Sequence, residues 1–174
     1  MSGETGQPWK PVSGCGLLAG LSAFIAFLIT AFINRDGFLL LDYVNLPFHE
    51  FGHLFFSIFG ETAGISGGTI MQLLIPCGIL ANFFLRRETA GVAFSGLWLG
   101  ESLLNISVYI ADARRMELPL VGGGEHDWNI ILSGLGMLSR DATIAATVRA
   151  AGWLIMITAV AWFAIRGMKG QGEQ

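Results

Sequence analysis

His49, Glu50 and His53 fall in the order His49-Glu50-Phe51-Gly52-His53, an HExxH pattern. On a helix, residues four apart lie one turn above each other, so both imidazoles can hold one zinc ion. Glu50 then stands where a general base toward a water at the metal is needed. The pattern lies within an apolar stretch, Gly37 to Phe59, long enough to cross a bilayer. A helix with two neutral, hydrogen-bonded histidines is the plain alternative. A carboxylate between them at membrane depth, however, costs about 2.5–3.5 kcal/mol on insertion scales unless it is paired. The combination points to an intramembrane metallohydrolase.

The elements that must position these residues are apolar. The chain of 174 residues is 53% hydrophobic and 13% charged, with mean hydropathy +0.61. That composition is too apolar for an ordinary soluble domain of this size and predicts an all-α, polytopic membrane bundle. The net charge is −3, with no basic cluster beyond arginine pairs, which excludes nucleic acid as a partner class. Cys15 and Cys77 give neither a disulfide framework nor a CxxC metal site and are expected to be packing residues.

Five apolar runs predict about five transmembrane helices: Leu17 to Ile33, Gly37 to Phe59, Thr69 to Leu85, Thr89 to Ile110 and Ala150 to Ile165. The first has no small-x-small cleavage site at its end and is expected to be a retained helix. Five spans would leave the two termini on opposite sides. Residues 1–16, rich in Gly, Pro and Ser, are expected to be a mobile leader, 17–166 a single integral membrane domain, and 167–174 a polar tail. Asn45 and Pro47 interrupt the second run, so its helix either kinks there or restarts with Asn45 as N-cap. The glycine-rich segment Thr62 to Thr69 is expected to be a turn or an extended piece, either a plain connector or an edge against which a substrate backbone pairs. A polar insert separates the last two spans and ends in a short amphipathic stretch, Asn129 to Leu138, with Ser139 as candidate N-cap of the last helix. The triple glycine at 122–124 has no strand-to-helix context and is a poor phosphate cradle.

A catalytic zinc needs a third protein ligand. Glu101, Asn105 and Asp112 share one helical stripe with Tyr109 beside it, a face that should turn inward. Depth counted from the helix starts favours Glu101 or Asn105. His126, within Glu125-His126-Asp127-Trp128, is either a solvated interfacial histidine, a ligand, or an imidazole oriented by Asp127.

HExxH in an early helix (FHEFGH), a glycine-rich segment, and a later helix ending in an aspartate resemble the M50, or site-2-protease, class of intramembrane zinc peptidases, and most closely its compact bacterial M50B group. The likeness covers roughly Pro47 to Trp128. It implies His49 and His53 as zinc ligands, Glu50 as the base, and a later aspartate as third ligand, matched here by Asp112 in NISVYIADAR. The Asn-Pro-Asp-Gly surroundings of better-known members are absent at that aspartate, so His126, Asp127 and Glu101 stay as alternatives. The resemblance further implies a multi-pass protein of the bacterial inner membrane, with lipids around it and a transmembrane or membrane-associated peptide as substrate. Two other functions fit the same residues: a non-enzymatic metal-binding membrane protein, and a metal-dependent hydrolase of a lipid or small molecule.

Overall fold

The computed structural model describes residues 8–34, 38–119 and 125–172. Among these residues there are six α-helices, one 3-10 turn and no strand. In chain order they are α1 (Gly14–Ile33), α2 (Asp42–Ser57), α3 (Glu61–Leu85), α4 (Thr89–Ala111), α5 (Asp127–Gly134) and α6 (Asp141–Gly172), the 3-10 turn lying at Leu138–Arg140. The all-α expectation holds. Three helices are long and apolar enough to cross a membrane: α1, α3, and α6 together with the turn before it. The triple glycine at 122–124 lies outside the described residues.

α4 is the axis around which the rest is arranged. Its polar side chains face inward, and Ser95, Glu101, Ser102 and Ser107 are fully buried. α6 comes close enough that a Cβ on Gly100 would stand 2.6 Å from the Gly152 carbonyl oxygen. Small residues at such a crossing let two backbones approach, the usual device where apolar surroundings supply no hydrophobic drive to association. Leu97, Leu104, Met156 and Val160 fill the space around it with Ala31 of α1 and Leu39. A second core of Ile106, Ile110, Ala113, Leu132 and Ala145 ties α5 to α4 and α6.

α2 departs most from expectation. It has 16 residues, about 24 Å, and is shorter than a span. Its first turn lies deep within the bundle, where Asn45 donates to Glu101 and accepts from Trp98. Glu101 is twelve residues (101 − 89) into α4, about 18 Å from its start. The other end of α2, at Ser57, meets Gly64 near the start of α3. The helix does not restart at Asn45. Its N-cap is Leu41, and Pro47 sits within it. Asp42 Oδ2 accepts from the Leu39 N–H at 2.7 Å, satisfying irregular backbone in the protein interior.

The glycine-rich segment is helical, not extended: α3 begins at Glu61 and runs through it. Its glycines serve packing instead. Gly52 and Gly67 bring the backbones of α2 and α3 into direct contact, so that a Cβ on either would overlap the other's carbonyl oxygen. An extended edge there would break the α2–α3 contact, so substrate pairing with this segment has no structural basis.

The described parts of the expected leader and tail, 8–16 and 167–172, are built into the helical bundle. Within the expected leader, Trp9 packs edge-on against Phe84 and Trp162, Arg87 and Arg166 lie over its ring, and the Lys10 N–H bonds the Arg87 carbonyl. α6 continues through the expected polar tail to Gly172, and it begins at Asp141, leaving Ser139 in the 3-10 turn. Gly14 lies next to Gln171, and Leu17 against Gly167. The start of α1 and the end of α6 therefore share one end of the bundle. Cys15 and Cys77 are exposed, not packed within the core.

Candidate metal centre

The two motif histidines sit on the α2 face that meets α3, and each has its ring nitrogen roles set by a partner. His49 Nδ1 lies 3.2 Å from Gln72 Oε1, and His53 Nδ1 lies 2.8 Å from the Gly64 carbonyl oxygen. The Gly64 carbonyl is an obligate acceptor, so His53 Nδ1 carries its proton. Gln72 Nε2 donates to Asn105 at 2.9 Å, which turns Gln72 Oε1 toward His49 as an acceptor. Both rings then present Nε2 as a bare lone pair.

Those two Nε2 atoms face the same oxygen. Asp127 Oδ2 is 3.2 Å from His49 Nε2 and 3.3 Å from His53 Nε2. Two imidazole lone pairs aimed at a carboxylate oxygen repel unless a proton or a metal cation lies among them. A zinc ion held by His and Asp at about 2.0–2.2 Å in tetrahedral geometry sets adjacent ligand atoms about 3.3–3.5 Å apart. The two distances to Asp127, 3.2 and 3.3 Å, come close to that value, and the three ligand atoms all lie within 4.8 Å of one another. The donor set fits a zinc ion.

Asp127 reaches this position through the fold of the polar insert. It opens α5, whose N-cap is His126, with His126 Nδ1 accepting from the Asn129 N–H at 3.2 Å. The His126 ring stacks on Tyr109 of α4 with centroids 4.4 Å apart, and its Nε2 faces Asp112 Oδ2 at 3.4 Å. The Asn129 side-chain amide donates to the Ala113 carbonyl at 2.7 Å. Arg114 is paired with Asp141 at 2.7 Å, tying the insert to the start of α6. The insert is thereby folded back onto the end of α4, and Asp127 is delivered to the histidines.

The other expected ligands stand elsewhere. Asp112 accepts from the Glu117 N–H at 3.1 Å and the Leu118 N–H at 3.0 Å, holding the turn that follows α4. It lies beside His126, not beside His49 and His53. His126 is a helix cap. Glu101 is buried against Asn45, and Asn105 is bonded to Gln72. Of the residues considered from sequence, the structure groups His49, His53 and Asp127. Gln72 was not singled out there. Its only sequence signal is a glutamine within an otherwise apolar run, Ile70 to Leu74.

A cavity of about 560 Å³ opens onto the group, with Glu50, Asp42, Tyr109 and Trp128 among its lining residues. Gly68 leaves the space in front of the histidines clear: a Cβ there would be 2.5 Å from His53 Nε2 and 2.6 Å from His49 Nε2. No protein-family model, curated protein or solved structure matches the chain.

Proposed function

We propose that the protein is a membrane-embedded zinc-dependent peptidase whose ligands are His49, His53 and Asp127 and whose general base is Glu50. The observation that carries this reading is the convergence of two Nε2 lone pairs and one carboxylate oxygen, with Glu50 lining the same cavity. When bound, a zinc ion would polarise a scissile carbonyl and acidify a water, the Lewis-acid chemistry that amide hydrolysis needs. Glu50 takes the proton of the attacking water and returns it to the leaving amine. Gln72 and the Gly64 carbonyl hold the two imidazoles in the tautomer that leaves Nε2 free. Three protein ligands leave a fourth position open, as catalytic zinc sites do and closed structural sites do not.

The apolar exteriors of α1, α3 and α6 support a location in a bilayer, with lipid covering residues such as Ile25, Ile29, Leu74 and Ile157. In this reading α4 crosses within the other three, giving four crossings, and α2 enters only part-way. The resemblance to M50 peptidases favours a bacterial inner membrane and a transmembrane or membrane-associated peptide as substrate.

Zinc per chain and cleavage of a membrane-peptide reporter, measured on the purified protein in detergent, test the reading. Glu50→Gln should retain one zinc and lose turnover by at least about 100-fold, the scale of a general base. Turnover unchanged in that variant would falsify the assignment of Glu50. Hydrolysis of lipid with no cleavage of peptide would shift the substrate class while leaving the metal site in place.

A further inference from the structure

Beyond the metal group the bundle buries a second set of ionisable side chains. Asp42 and Glu101 are 3% and 0% exposed, and their side chains lie within hydrogen-bonding reach of each other. Each has one oxygen satisfied. Asp42 Oδ2 accepts from the Leu39 N–H, and Glu101 Oε2 accepts from Asn45 Nδ2 at 3.0 Å. Each has a second oxygen, Asp42 Oδ1 and Glu101 Oε1, that makes no hydrogen bond among the described residues.

Among the described residues, the hydrogen-bond partners around the two carboxyls are neutral. α2 contributes Asn45, and α4 contributes Trp98, Ser102 and Asn105, all neutral. Among the described residues, no Lys, Arg or His acts on either carboxyl. α6 packs here through Gly152 and Met156. Two ionised carboxylates in contact, both out of water and without a cation, repel each other and also lose their hydration. A single proton between them removes one charge, gives one orphan oxygen a donor to offer, and gives the other an acceptor role to fill.

We propose that Asp42 and Glu101 form a proton-binding site in which one proton is held between the two carboxyls. The site lies at the wall of the metal cavity, which Asp42 lines. It is joined to the metal group through neutral amides: Asn105 stands next to Asp42, accepts from Gln72 at 2.9 Å, and Gln72 meets His49 Nδ1 at 3.2 Å. The inference does not depend on the peptidase reading, because the pair is complete without metal or substrate.

Infrared spectroscopy of the full-length protein at neutral pH, in H2O and D2O, tests it. The difference between wild type and the double variant Asp42→Asn/Glu101→Gln should contain one protonated carboxylic acid, sensitive to deuteration, and one carboxylate. Two carboxylates and no acid would overturn the proposal and point to a bound cation such as sodium. Two acids would overturn it as well. If the double variant does not fold, wild-type protein with 13C-labelled Asp and Glu carboxyls answers the same question. One labelled, exchange-sensitive acid carbonyl is expected at neutral pH, and none would exclude a stored proton.

Discussion

Asp112, the third ligand that the resemblance implied, and Asp127, one of its alternatives, have different partners. Asp127 offers its oxygen to the histidines, while Asp112 spends both of its oxygens on backbone N–H groups. Their substitutions should therefore behave differently. Asp127→Ala and Asp127→Asn should both lower zinc affinity by more than about 100-fold, beyond the usual effect of an outer-sphere change. Asp112→Asn keeps an acceptor for the turn and should stay within about 10-fold of wild type. Zinc titration by competition with a chelator reads both, and equal losses in Asp112→Asn and Asp127→Asn would contradict the assignment. Gln72 acts on the metal through His49. Gln72→Leu removes the acceptor that orients the ring and should weaken zinc binding about 10–100-fold, whereas Gln72→Glu retains an acceptor and should bind at least as well as wild type. An unaltered affinity in Gln72→Leu would mean that the ring is held by packing alone.

At the scale of elements, the α2–α3 contact decides whether the site exists. Gly52 and Gly67 set the helix separation, and Gly68 leaves open the volume that a metal and its ligands must share. Gly68→Ala should abolish stoichiometric zinc binding while circular dichroism shows unchanged helix content, since alanine is the better helix former. Gly67→Ala forces the two backbones apart and should cost about 1–3 kcal/mol, read as a lower thermal midpoint in detergent. A Gly68→Ala protein that still holds one zinc would place the metal somewhere other than between these helices. The apolar and polar patterns located the helices, but helix partners were not written in them. The Thr62 to Thr69 segment illustrates why. Three glycines lower intrinsic helix propensity, and only the tight fit against α2 repays that cost.

For the whole molecule, the shared end of α1 and α6 makes a topological prediction. Tags or single cysteines at the two termini should be accessible from the same side of the membrane in intact cells or sealed vesicles. Accessibility from opposite sides would restore five crossings and exclude the part-way entry of α2. The four crossings proposed differ from the five expected at α2 alone: Gly37 to Phe59 is long enough to span, yet the helix within it has 16 residues and begins beside Glu101.

The HExxH spacing, the inward face bearing Glu101 and Asn105, and the helical class followed from the sequence itself, because they depend on local periodicity and on the high cost of exposing polar groups to an apolar medium. Which aspartate meets the histidines was a question only the tertiary structure decided. Asp112 and Asp127 are fifteen residues apart (127 − 112), and both lie outside the long apolar runs, where periodicity carries no information about direction. The turn held by Asp112, the stacking of His126 on Tyr109 and the Asn129 bond to Ala113 together fold the insert back. The turn is local, but the stacking and the Asn129 bond join α5 and its cap to α4 and the turn after it, and no local pattern could have announced those two contacts.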